Sequence, residues 1–377
     1  MGKFCIETIK NNVLHAMSGI SSSPAPARIT EPSTVYRDIP HNNYYLIFLM
    51  MVDLLEYEYI GPHEKFCYGI SLKFKGHIYT INYQKFGMRI ICSKGGDGEV
   101  LYNTLVKGMG AAKPYFEWRA DQASMSSDLN LESKCIKLWC KYQYFRGQSE
   151  ILQNKLKQTE NKAEIVKVGK GTTYSYLVSC NSLNQGMWMH EAAVDAFFAW
   201  CEQALVHIAI LMGKLTRGEE IITLLKGEFR QKCKLVLNLD LTNDKLVYDD
   251  ISNLRNELRN YVAHGSFGKD GSAFSFHTAI GAVPLNIVDN KSRFKVTFYG
   301  IDGRDWADDY DRIDKFYEQL WANGRAPAKQ HLEGEFPSIL THASDGIYNQ
   351  AMVSEADMEE YLEYLGRSIE DHRNMDW

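Results

Sequence analysis

Two rhythms of apolar and polar residues alternate along this chain. The segments CYGISLKF, HIYTINYQ and MRIICS, between Cys67 and Ser93, alternate with period two around turn signals such as Lys75-Gly76, which predicts a small antiparallel meander. AFSFHTAI and RFKVTFYG do the same around Asp289-Asn290-Lys291-Ser292 and predict a hairpin. Helical spacing dominates the rest. It predicts helices over Tyr45–Ile60, near Glu99–Lys107, from about Leu131 to Ile165, over Met187–Met212 and around Glu219–Leu237. Val247, Ile251, Leu254, Leu258 and Tyr261 then recur at alternating spacings of four and three, one apolar stripe of an amphipathic helix. Trp306, Tyr310, Ile313, Tyr317 and Leu320 mark another, with an Asp-rich outer face, and the capping box Ser354-Glu355-Ala356-Asp357 opens a last acidic helix toward Leu365.

Proline and glycine placement divides this series. Pro24, Pro26, Pro32 and Pro40 crowd one Ser/Pro-rich stretch that reads as an irregular connector, whereas no proline lies between Tyr115 and Val283, where long helices are permitted. The expected fold is mainly α with an α+β N-terminal part. Four regions follow: an N-terminal segment and connector over 1–40, an α+β module with a long basic helix over 41–175, a helical domain over 176–270, and an acidic module of hairpin and helices over 271–377. GGDG at Gly95–Gly98 reads as a turn, because no Lys-Ser/Thr ending makes it a phosphate loop.

Composition narrows the function classes. With 45% apolar and 24% charged residues in 377, the chain is an ordinary globular protein with room for two or three domains. A net charge of −5 argues against a generally basic nucleic-acid coat, so any RNA contact is local. Residues 131–170 carry nine Lys/Arg against four Glu and form a candidate RNA-facing surface, while residues 301–377 carry seven Lys/Arg against eighteen Asp/Glu. Eight cysteines show no CxxC pair and no paired histidine spacing, so they read as reduced, mostly buried thiols of a cytoplasmic protein without structural zinc. The N-terminus lacks a signal-peptide core, and the apolar run Tyr44–Val52 is too short to span a bilayer, so no membrane association is expected.

The candidate chemistry lies at the end of the Val247–Tyr261 helix, in Arg259-Asn260-Tyr261-Val262-Ala263-His264 followed by Gly265. Off the apolar stripe stand Asn253, Asn256, Asn260 and His264, and asparagine is a poor helix former where lysine and glutamate would suffice for solvation. Gly265 fits a left-handed cap, which sets His264 in the last turn, where the helix dipole favours the imidazolium. RNA cleavage without a metal needs a proton acceptor for the 2′-hydroxyl, a donor for the leaving oxygen and a fixed cation on the phosphate, and histidine and arginine supply these. No carboxylate or His/Cys group at metal-ligand spacing surrounds the motif, and no cofactor is expected. On an ideal helix Arg259 and His264 diverge by about 140°. A second copy of the helix across a two-fold axis resolves that divergence, so a homodimer is expected. Glu191 and Asp195, four apart on the preceding long helix, are candidates to orient Arg259 or His264, and Asn256 is a further supporting residue.

The helix order from about Asn181 to Gly268, with Arg259, Asn260 and His264 at Arg-x4-His spacing, resembles the HEPN superfamily of ribonucleases. The resemblance implies a HEPN-like helical bundle. It also implies a dimeric, metal-independent endoribonuclease that cuts RNA by 2′-hydroxyl attack, of the toxin, abortive-infection or phage-defence type, with a regulatory protein or phage trigger as possible partner. In this reading the catalytic residues are Arg259, His264 and Asn260, with Glu191 and Asn256 in support. Some toxins of the family carry a modified tyrosine two positions after the histidine; this chain has Ser266 there, which leaves that mode of control without its acceptor. The alternative is a non-catalytic HEPN module that dimerises and binds a partner or ligand as a scaffold.

Overall fold

The computed structural model describes the backbone of residues 5–23, 33–40, 43–62, 67–84, 87–159, 163–168, 172–264, 274–279, 281–290, 293–298 and 306–374. Side chains are described over 5–23, 34–40, 43–62, 67–84, 87–155, 185–256, 277–279, 281 and 306–370. The fold is mainly helical, with a small antiparallel sheet in the N-terminal part. Two compact units divide it, residues 1–125 together with 363–377, and residues 126–362.

The first unit contains the predicted meander as β4 (Tyr68–Phe74), β5 (His77–Gln84) and β6 (Gly87–Ser93), paired antiparallel. Three short strands extend it: β1 (Ile20–Ser22) and β3 (Tyr59–Ile60) on β4, and β2 (Ser33–Tyr36) on β6. The stretch expected as an irregular connector therefore supplies strands from both its flanks. Helix α1 (Ile6–Ala16), α2 (Asn43–Phe48) with its π-helical continuation Leu49–Leu54, and α3 (Gly98–Met125) complete the unit. The helix expected to reach Ile60 stops at Leu54, and β3 takes the residues beyond. Conversely, α3 runs far past Lys107, through Gly108, Gly110 and Pro114. At Gly108 packing accounts for the residue: a Cβ there would meet Met17 Cγ and Sδ at 2.5 Å, so the glycine lets a methionine close on the helix.

The second unit is built on the antiparallel pair α4 (Cys135–Thr159) and α5 (Val178–Leu211). The helix expected to reach Ile165 ends earlier, and β8 (Ala163–Val168) and β9 (Thr172–Leu177) form a hairpin between the two helices. The long basic helix, expected with the N-terminal sheet, packs instead on α5 within this unit. Ring contacts fix the register: Trp139 meets Trp200 at 4.8 Å and Tyr142 meets Phe197 at 5.4 Å. Over Gln185–Leu211, α5 is long and apolar enough to cross a membrane, yet 78% of its most apolar window is buried within the protein, which marks a core helix.

Around this pair lie β7 (Asn130–Leu131), α6 (Gly218–Lys226), α7 (Phe229–Val236), α8 (Thr242–His264), α9 (Trp306–Leu320), α10 (Ala326–Glu333), β13 (Ser338–Ile339, paired with β7), α11 (Leu340–Ser344), α12 (Ile347–Ala351) and the start of α13 (Glu355–Asn374). One helix was expected over Glu219–Leu237; Gly227 and Glu228 split it, and Gln231 Oε1 accepts from the Glu228 backbone N–H to start α7 afresh. Beyond α8, the expected hairpin is a three-stranded antiparallel sheet of β10 (Phe274–Thr278), β11 (Gly281–Asn290) and β12 (Arg293–Phe298). The middle strand GAVPLNIVDN lies between the two segments expected to pair with each other, and Pro284 stands opposite Ser275 in it. The Ser354 hydroxyl does cap α13 by accepting from the Asp357 N–H at 3.1 Å, and that helix continues to Asn374.

Candidate functional site

Helix α8 carries the motif, and three ion-pair clusters hold its body. At its first turn, Asp244 accepts from Gln319 Nε2 at 2.6 Å, Asn323 Nδ2 at 3.1 Å, the Asn238 N–H at 2.9 Å, and both Arg325 Nη1 and Nη2 at 3.1 Å. Burial would raise this carboxyl's pKa, but Arg325, Gln319 and Asn238 outweigh it and hold the pKa below the usual carboxylate value. At mid-helix, Asp250 accepts from Arg312 Nε at 2.9 Å, and Arg312 also donates to the Asp250 carbonyl at 2.8 Å. One turn on, Arg255 donates to Glu202 on α5, while Lys232 of α7 donates to the other oxygen of the same carboxylate. The Arg255 guanidinium also lies over the Phe229 ring, 4.5 Å from its centroid.

The apolar stripe is confirmed where side chains are described: Ile251 and Leu254 are fully buried, and Val247 is half-buried. Asn253 and Asn256 are exposed, so the polar face that precedes the motif opens to solvent. Arg259, Asn260 and His264 occupy the last turns of α8, four, five and nine positions after Arg255. Their side chains, and Gly265 and Ser266, lie outside the described residues.

Glu191, on α5, is half-buried, and burial raises its pKa against the lowering influence of His190. Asp195 is exposed. The neighbouring histidine makes the firmer contact. His190 Nε2 lies 3.0 Å from Asp309 Oδ2, with both side chains 3% exposed, and its ring stacks on Trp306 at 5.5 Å. Asp309 thus departs from the expected solvated Asp face of α9. It stands at the helix's first turn, turned inward with Trp306 and Tyr310, and takes a buried imidazole and Arg312 as partners.

The Glu202–Arg255–Lys232 and His190–Asp309–Arg312–Asp250 clusters were not read from the sequence. Arg255 stands one turn before Arg259, and that spacing was the available signal; Glu202 and Lys232 are brought in only by tertiary packing. Among the described residues no group of three or more His, Cys, Asp or Glu is arranged to hold a metal ion. Burial raises the pKa of the Cys201 and Cys233 thiols, beside Arg255, well above the usual value, so they stay protonated and poorly nucleophilic at neutral pH. Comparison with family models, curated proteins and solved structures gives no match to this chain.

Proposed function

We propose that this protein is a metal-independent endoribonuclease that works as a homodimer, with Arg259 holding the scissile phosphate, His264 moving the proton and Asn260 positioning one of them. The observation that carries the reading is the Arg259-to-His264 register on the terminal turns of α8. The body of that helix is anchored through Asp244, Asp250 and Arg255, which gives the motif a rigid base, and a fixed cation and a fixed proton acceptor are what this reaction requires. Exposed Asn256, four positions before Asn260, is consistent with access for a large substrate from that side. Glu191, whose raised pKa reflects a partly desolvated carboxyl, is the candidate to orient the motif from α5.

In the proposed reaction the substrate's 2′-hydroxyl gives up its proton and attacks the adjacent phosphorus, the bond from phosphorus to the 5′-oxygen breaks, and that oxygen is protonated as it leaves. The products are a 2′,3′-cyclic phosphate and a 5′-hydroxyl. A bacterial toxin or phage-defence setting in the cytoplasm, with a neutralising protein or phage trigger, extends the same proposal from the HEPN resemblance. A matched pair of oligonucleotides tests the chemistry in excess EDTA, one all-ribose and the other 2′-deoxy throughout. Cleavage of the first alone, with cyclic phosphate ends, is the expected result; cleavage of both, or 3′-hydroxyl ends, contradicts it.

A further inference from the structure

Helices α4 and α5 form a layer with α9 on one side. Arg146 and Ser149 of α4 reach α9 through Asp314 and Tyr310, and His190 of α5 reaches it through Asp309. Residues two positions from such contacts point about 160° away on an ideal helix. Ile151 stands two after Ser149 and is 49% exposed, Tyr144 two before Arg146 and 63% exposed, Trp188 two before His190 and 61% exposed.

These three belong to one surface. On α4, Lys137, Lys141, Tyr144, Gln148, Ile151 and Lys155 follow spacings of four, three, four, three and four, a single row down the helix. All but the half-buried Gln148 are exposed. Extending the register set by Trp139 with Trp200 and Tyr142 with Phe197 brings Trp188 of α5 level with Ile151, and a Cβ at Gly186 would lie 3.6 Å from Leu152 Cβ, as that register requires. The layer therefore exposes lysines, a tyrosine and a tryptophan together on the side away from α9, and the same face of α5 carries two acidic residues, half-buried Glu191 level with Gln148 and exposed Asp195 level with Tyr144.

Lysines spaced along a row with flat aromatic side chains between them suit a chain that carries a negative charge per unit and an unpaired ring per unit. We infer that the α4 row with Trp188 binds single-stranded nucleic acid, lysines on phosphates and Tyr144 and Trp188 stacked on bases. This rests on the ribonuclease reading, for which it supplies the surface that holds substrate away from the motif. With an overall net charge of −5, polyanion binding requires a local basic surface, and this row is one. Base–aromatic stacking and phosphate contacts of this kind are sequence-tolerant and weaken with salt.

Fluorescence anisotropy with labelled oligo(U) and oligo(dT) 20-mers tests it, since neither the stacking nor the phosphate contacts need a 2′-hydroxyl. Trp188→Ala and Tyr144→Ala are each expected to weaken binding about tenfold. Lys137→Glu with Lys141→Glu should lower both the affinity and its dependence on salt. All are exposed, so the folded state is expected to persist, which circular dichroism checks. Wild type that fails to bind either oligonucleotide, or variants that bind as wild type does, overturn the inference. A Trp188→Ala chain that changes oligomeric state in light scattering while binding is unchanged assigns the surface to self-association and overturns it as well. Loss of binding in these variants, in a protein whose wild type cuts no RNA, keeps the surface and rejects the nuclease; RNA cutting with unaltered oligonucleotide binding does the reverse.

Discussion

Asp244 and Arg325 form a two-point ion pair sealed from solvent, with the Asp244 side chain 0% and the Arg325 side chain 3% exposed. Arg325 also donates to the carbonyls of Leu320 and Gln319, so one guanidinium ties the first turn of α8 to the end of α9. Removing one partner leaves the other charge buried without compensation. Asp244→Ala should cost about 3–5 kcal/mol, whereas an Asp244→Leu, Arg325→Met double variant should recover most of that loss. Urea unfolding measures both; a double variant as unstable as the single would show that geometry, not charge, sets the cost.

Asp244 also predicts an acid dependence. Its folded pKa is lowered relative to the unfolded chain, so its contribution is full above the unfolded value of about 3.9 and disappears as pH falls through the folded value. Asp244→Asn should therefore show a flatter stability profile than wild type in the acid range below about pH 4, read by thermal melts.

A second pH effect arises from buried histidines. Burial pushes His207 down to about 4 and His331 to about 3, with the nearby His207 adding to the latter. His207 Nδ1 lies 2.8 Å from Ser338 Oγ, while among the described residues neither ring nitrogen of His331 has a hydrogen-bond partner. Both rings stay neutral in the folded state, whereas in the unfolded chain they take up protons below about pH 6.5. Stability is therefore full above that pH and falls as pH drops toward 4, by up to about 1.4 kcal/mol per pH unit for each histidine. Chemical unfolding at pH 7.5, 6 and 5 checks the slope, and His331→Phe should reduce it.

The dimer reading makes a separable prediction. If one chain's Arg259 works with its partner's His264, mixing an Arg259→Ala chain with a His264→Ala chain restores one site per mixed dimer. A site that needs all four side chains stays inactive in the mixture, so this result reports composition, and light scattering reports the dimer itself. An active, monodisperse monomer would refute the dimer.

Much of the framework was legible because local patterns and tertiary packing agree. The meander between Tyr68 and Ser93, the stripe at Ile251 and Leu254, the face of Tyr310 and Ile313, and the Ser354 cap all follow period or capping chemistry. Errors arose where packing overruled a local signal. The helix expected near Glu99–Lys107 continues as α3 through Gly108 to Met125, and Met17 and Met50 occupy the space that Gly108 leaves. AFSFHTAI and RFKVTFYG were expected to pair with each other, and β11 lies between them and pairs with both. Asp309 read as solvated because a carboxylate is expected outside, and His190 from α5 holds it inside. Partners such as Glu202 for Arg255 are remote in sequence, and no periodicity records them. The motif itself was read entirely from residue types and spacing.

His264 carries the proposed chemistry, and the rate at which purified protein degrades total RNA in excess EDTA tests it, wild type against His264→Ala, with thermal melts to verify the fold. A polar-face substitution should change stability by no more than ~0.5 kcal/mol. Wild type is expected to cleave and a folded His264→Ala protein is not; equal rates for the two would remove His264 from the reaction.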